Sequence, residues 1–176
     1  MTRHEGRTDS GGHRAGPENT PRLRMKPKAR MTGHVDGAWW PHSEDLPSEL
    51  PDLLAVLSVR LGPIERLMYE LSAWGKAPAR LATGGRSVRL DGFRRQPANT
   101  LQALGVGRER ILLMVVPPST APDIAHEAMM TAAAPGNAST VGDLLGISDG
   151  GQAPPLASYR PAFHRRVRRF RARQSR

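Results

Sequence analysis

The chain has 176 residues, contains no cysteine and carries a formal net charge of +10 at pH 7. The lack of cysteine excludes a disulfide scaffold, a zinc site with cysteine ligands and a cysteine nucleophile. The longest aliphatic run, residues 111–116, is far shorter than the about 20 residues of a membrane span, and residues 1–20 lack an apolar signal sequence, so we expect a cytoplasmic protein.

The positive charge is concentrated at one end of the chain. Residues 160–176 carry eight arginines and no acid, whereas residues 21–134 carry a net charge of +4. The polar residues 1–20 predict a disordered N-terminal tail, and the residues 135–158, rich in Gly, Pro and Ser, predict a flexible linker. We therefore expect one folded domain over residues 21–134, followed by the linker and an arginine-rich tail over residues 159–176.

The first half of this domain predicts one strand and one long helix. Residues 22–28 alternate apolar and basic side chains, which indicates a short edge strand. Residues 31–47 are rich in turn formers and predict no regular element. In residues 48–61, leucines recur at helical spacing between a candidate N-cap, Ser48, and a candidate C-cap, Gly62, so we expect an amphipathic helix there.

The second half of the domain predicts a sheet and one more helix. Strand patterns occur at residues 64–71, 79–83, 86–91, 99–104 and 110–116. The turn Gly84-Gly85 joins the second and third of them into a hairpin. A last helix starts near Thr120 and is stopped by Pro135. This order predicts an α+β domain, with two helices on a mostly antiparallel sheet of about five strands.

Three segments have a distinctive sequence: TGHVDGAWWP at residues 32–41, GFR at residues 92–94 and LLMVVPP at residues 112–118. Together they resemble an uncharacterised domain family of actinobacteria, whose function is unknown. The resemblance covers about residues 21–134, so it implies the limits of the domain. It implies no activity, cofactor or site residue.

Residues 34–45 combine histidines, carboxylates and two adjacent tryptophans. His34, Asp36, Trp39 and Trp40 predict a small-ligand site, because neighbouring tryptophans are hard to bury together. Imidazole and carboxylate also suit zinc or iron, but spacing in a loop does not show that three ligands converge, so we expect no metal and no cofactor. The favoured alternative is structural: the tryptophans anchor the segment on the core, and Asp36 binds backbone in a turn.

The predicted hairpin carries a cluster of arginines. The register of its two-glycine turn places Arg80 opposite Arg89, where like charges repel, and Arg94 follows a few residues later. We expect a Glu or Asp from elsewhere, such as Glu65 or Glu70 on a neighbouring strand, to neutralise this cluster. The alternative is that the arginines bind an anionic ligand.

The arginine-rich tail has a helical pattern as well as charge. Tyr159, Phe163, Val167 and Phe170 recur at helical spacing and form one stripe. On an anionic partner, the arginines would neutralise phosphates while the stripe enters lipid or stacks on bases, so the predicted partner is nucleic acid or an anionic membrane surface. The alternative is a solvated tail. The residues expected to contact the polyanion are Arg160, Arg165, Arg166, Arg168, Arg169, Phe163 and Phe170.

No catalytic residue is assigned from the sequence. Residues 146–150 match G-x-S-x-G, but this match lies in the predicted linker, without the strand that must precede a nucleophile elbow. We therefore expect a non-catalytic binding or accessory protein whose tail engages nucleic acid or another polyanion. The second hypothesis is a small-ligand module or an enzyme that uses residues 34–45, and the third is a protein-interaction module.

Overall fold

The computed structural model describes residues 20–28, 33–94 and 97–147. Within these ranges, the strands are β1 (Arg22–Met25), β2 (Gly37–Trp40), β3 (Ile64–Glu70), β4 (Arg80–Thr83), β5 (Arg86–Phe93), β6 (Thr100–Gly105) and β7 (Arg110–Val115). The helices are α1 (Leu46–Leu61), α2 (Pro122–Ala132) and α3 (Val141–Leu145), with a 3₁₀ turn at Leu71–Ala73. The predicted N-terminal tail up to residue 19 and the arginine-rich tail lie outside the described residues.

The described strands form one sheet in the order β1-β2-β7-β6-β3-β5-β4. β2 runs parallel to β7 and β3 runs parallel to β5, whereas the other neighbouring pairs are antiparallel. The predicted α+β class agrees with this architecture. The predicted sheet of about five mostly antiparallel strands is wrong, because the described sheet has seven strands and is mixed, and a third helix is present.

The strand that the sequence pattern misses is β2, which lies inside the segment predicted as turn-rich. Gly37, Ala38 and Trp39 are all buried, because apolar clusters lie on both faces of the sheet at this strand. A strand that is buried on both faces shows no alternation of apolar and polar side chains. Its four residues therefore give neither a strand period nor a helix period.

One face of the sheet packs against α1. The buried side chains of this helix are Leu46, Leu50, Leu53, Leu54, Leu57 and Leu61. The helix begins two residues before the predicted position, after Asp45, whose carbonyl accepts hydrogen bonds from the N–H groups of Ser48 and Glu49. Ser48 is thus inside the helix and its hydroxyl donates to the Asp45 carboxylate. Gly62, with φ of 69°, ends the helix as predicted.

The opposite face is covered by α2 and α3 over only part of its width. α2 lies against β1 and β2 and buries Ala125, Ala128, Met129 and Ala132. α3 falls in the predicted linker, yet its apolar side chains pack against the same cluster. None of the described helices is long and apolar enough to cross a membrane. Since the helices lie over β1 and β2, the face stays open at β5 and β4, where Arg80, Ala82 and Arg89 are exposed.

Candidate functional site

Asp36 links neighbouring strands through hydrogen bonds. Its carboxylate accepts a hydrogen bond of 2.8 Å from the N–H of Leu112, and its own N–H donates to the Leu112 carbonyl at 2.7 Å. Its carbonyl accepts from the N–H of Lys26 at 2.8 Å. Asp36 therefore ties the start of β2 to β7 and to the end of β1. The structural alternative for this residue expected a bond within a turn, whereas these partners belong to neighbouring strands.

The adjacent tryptophans lie on opposite faces of the sheet. Trp39 is 1% exposed and stacks on Trp74, with ring centroids 5.5 Å apart. Trp40 is half-buried on the other face, where the guanidinium of Arg22 lies 3.5 Å from the ring centroid and donates to the Trp40 carbonyl at 3.0 Å. Both rings are accommodated because successive side chains of a strand point to opposite faces.

The histidines of this region lie apart from each other. His34 is near α3, where hydrogen bonds from Thr140 and, to a smaller extent, the imidazole of His34 lower the pKa of Asp143. His42 has an exposed side chain, whose Nδ1 is 3.5 Å from the Glu49 carboxylate. In the part of the chain that the structure describes, no three His, Asp or Glu side chains are grouped so that they could hold a metal ion.

The hairpin register is confirmed, and the acid that contacts the arginines is Asp91 rather than Glu65 or Glu70. Arg80 pairs with Arg89 across the hairpin. The Arg89 guanidinium contacts the Asp91 carboxylate at 2.7 Å, and Arg66 on β3 contacts the other oxygen of Asp91 at 3.2 Å. Glu70 cannot take this role, because its carboxylate accepts hydrogen bonds from the N–H groups of the 3₁₀ turn.

Arginines from four strands lie in one row across the open face. In the strand registers, Arg80 is the partner of Arg89, and Arg89 is the partner of Arg66. Arg66 is in turn the partner of Leu104, and Leu104 is the partner of Arg110. We call Arg80, Arg89, Arg66 and Arg110 the arginine row. Four inter-strand steps of about 4.8 Å give it a length of about 19 Å.

The arginine row retains most of its positive charge. Asp91 is its only acidic contact among the described residues, and of the four guanidinium groups those of Arg66 and Arg89 contact this carboxylate. Neither Arg80 nor Arg110 forms an ion pair with a described residue. Both are exposed, and the Arg89 side chain is 54% exposed. The row is therefore an accessible line of positive charge with a net value of +3.

Arg94 is not brought into the row, and His34 and Asp36 lie near only one end of it. Arg94 follows the end of β5, five positions after Arg89, which is about 16 Å along an extended strand. His34 and Asp36 lie beside β2, which neighbours β7. Asp36 is hydrogen-bonded to Leu112, two residues from Arg110 at one end of the row, but lies five strands from Arg80 at the other end, a separation of about 24 Å. Arg66 and Arg110 were missed by the sequence, because only the pairing of distant strands aligns them with the hairpin.

The described residues that carry the family resemblance are largely packing residues. A Cβ atom on Gly37 would lie 2.2 Å from the carbonyl oxygen of Arg24, and one on Gly33 would lie 2.0 Å from that of Asn137. A Cβ on Gly92 would lie 2.4 Å from Cδ2 of Leu71. Together with Asp36, these contacts indicate that the shared segments maintain the fold.

Comparison with known proteins agrees with the predicted membership of an uncharacterised family. None of the curated proteins and none of the solved structures matches the chain. The sequence model of one protein family matches residues 22–132, which span β1 to the end of α2. The chain therefore belongs to DUF5994, a family of unknown function.

Proposed function

We propose that this protein is a non-catalytic nucleic-acid-binding protein, in which the arginine row and the arginine-rich tail both contact phosphates. The observation that carries the proposal is the alignment of Arg80, Arg89, Arg66 and Arg110 across an open sheet face. The tail contributes through its composition, since residues 160–176 hold eight arginines and no acid.

Guanidinium groups favour phosphate as the ligand of this surface. Arginine presents a planar fork of N–H donors that binds phosphate oxygens in a bidentate manner and stays charged at all physiological pH values. Arg80 and Arg110 have no carboxylate partner among the described residues, so a phosphate meets no competitor there. A regular line of charge also suits a polymer of phosphates better than a single small anion.

Two residues of the small-ligand or enzyme hypothesis have partners within the protein. Trp39 is buried in the core under Trp74, and the Asp36 carboxylate is bound to the backbone of β7. Their surroundings explain both residues without a ligand. Accordingly, the proposal assigns no catalytic residue and requires no cofactor.

The first prediction concerns salt dependence. In the full chain, Arg80→Ala together with Arg110→Ala should weaken binding of a labelled single-stranded oligonucleotide about tenfold, which corresponds to about 1.4 kcal/mol. The slope of log K against log salt should become shallower by about 1.4, because each lost phosphate contact on a single strand removes about 0.7. Fluorescence anisotropy over a series of salt concentrations measures both quantities.

The matched control is Arg24→Ala with Arg86→Ala, which removes the same charge from exposed positions outside the row. Arg86 lies on the same hairpin but shares the strand face of Val88 and Leu90, which face the core, so it lies on the face opposite the row. Deletion of residues 160–176 measures the tail separately. Equal affinity and slope in the row variant and the control variant would contradict the proposal. Loss of binding to anionic vesicles alone would assign the row to a membrane surface.

The second prediction concerns Asp91. Asp91→Asn removes the carboxylate that Arg66 and Arg89 share, so both guanidinium groups become available to phosphate. Affinity for the same oligonucleotide should rise about threefold, which corresponds to about 0.7 kcal/mol, the size of an exposed ion pair. Asp123→Asn on α2 makes the same charge change at an exposed position away from the row. Weaker binding by the Asp91 variant, at unchanged thermal stability, would count against phosphate contact at this surface.

A further inference from the structure

We infer that the nucleic acid bound by the arginine row is single-stranded and crosses the sheet with its bases on the side of Asp91, Met68 and Gln102. This inference rests on the proposed function and adds the class of ligand and its orientation. It follows from what lies beside the row and from the width of the face.

The residues next to the row differ from the row in chemistry. A second line of residues lies on the same face, two residues along each strand from the row. It consists of Asp91 on β5, Met68 on β3 and Gln102 on β6, which are register partners. All three are half-buried, and this second line has no basic side chain. A thioether and an amide suit the faces and edges of bases, whereas the carboxylate repels a second line of phosphates.

The shape of the face also disfavours a duplex. Proteins that read duplex DNA place a helix or a two-stranded ribbon in the major groove, which is about 12 Å wide. The arginine row crosses five adjacent strands and extends about 19 Å, so the face is too wide to enter that groove. A duplex on this face would offer the row only one of its phosphate lines. A single strand offers phosphates to the row and unpaired bases to the second line, as in other sheet-based recognition of single strands.

The test compares three labelled twelve-nucleotide probes on the full chain: oligothymidylate, its duplex with oligoadenylate, and an abasic strand with the same phosphates. We expect the single strand to bind at least tenfold more tightly than the duplex at the same salt concentration. The Arg80→Ala/Arg110→Ala variant should lower affinity for both single strands and bring the ratio of single-strand affinity to duplex affinity close to one. The Arg24→Ala/Arg86→Ala variant should keep the preference.

A second variant tests the base contacts. Met68→Ala with Gln102→Ala should weaken oligothymidylate binding about fivefold and leave abasic binding unchanged, because these two side chains are assigned to bases and not to phosphates. An equal loss on both probes would show a structural effect and contradict the assigned orientation. Equal binding of duplex and single strand, with both weakened by the row variant, would overturn this inference and leave the proposed function standing. If the row variant weakens neither probe, the proposed function fails as well.

Discussion

Trp39→Ala should lower the free energy of unfolding by about 3–5 kcal/mol, the range measured when a large buried aromatic side chain is removed from a core. Trp39 is 1% exposed and packs between the leucines of α1 and the ring of Trp74. The change removes the stacked partner of Trp74 and leaves a cavity in the core on the α1 side of the sheet. Urea denaturation followed by circular dichroism measures the loss as a lower transition midpoint.

Trp40→Ala is the matched control, because the neighbouring residue is half-buried and its ring contacts Arg22 on the opposite face. Its effect should be clearly smaller than that of Trp39→Ala. If Trp39→Ala instead left the transition midpoint nearly unchanged, the ring would be available to a ligand, and the small-ligand hypothesis for residues 34–45 would regain its support.

Gly37→Ala should destabilise the protein by about 3 kcal/mol, at the upper end of the usual cost of an oversized core residue. The new Cβ would lie 2.2 Å from the carbonyl oxygen of Arg24 and 2.8 Å from Cα of Met25. Both atoms belong to the β1 backbone, so they cannot move away as a flexible side chain would. The same urea titration measures the loss, and we expect it to weaken the pairing of β1 with β2.

Gly107→Ala provides the comparison for this glycine. No atom lies within 4 Å of a Cβ at Gly107, so the stability of this variant should be unchanged or slightly higher, owing to the reduced freedom of the unfolded chain. Equal stability of the Gly37 and Gly107 variants would mean that the β1 backbone does not lie as close to Gly37 as described.

Elements with a local signature were predictable from the sequence. Leucines at helical spacing identified α1, and the Gly84-Gly85 turn gave the correct hairpin register, including the pairing of Arg80 with Arg89. β2 and the two parallel pairings were missed for a physical reason. A four-residue strand that is buried on both faces lacks a period, and parallel pairing between distant segments leaves no mark on the local sequence.

The candidate site was predictable only in part for the same reason. The repulsion between Arg80 and Arg89 was visible in the sequence, and it indicated correctly that an acid would be needed. That acid is Asp91, two residues further along the same strand, rather than Glu65 or Glu70 on β3. Arg66 joins the group through the parallel pairing of β3 with β5, and Arg110 through β6. Neither contact follows from spacing along the chain.

The arginine row is assembled from positions 66, 80, 89 and 110, whereas the eight arginines of the tail lie within 17 residues of the sequence. The first arrangement exists only while the sheet is intact, so phosphate binding there is thermodynamically linked to folding, and a bound strand stabilises the native state. The second needs no folded scaffold to keep its charges close together. Under the proposed function, the protein thus combines a fold-dependent anion surface with a fold-independent one, and unfolding abolishes the first while sparing the second.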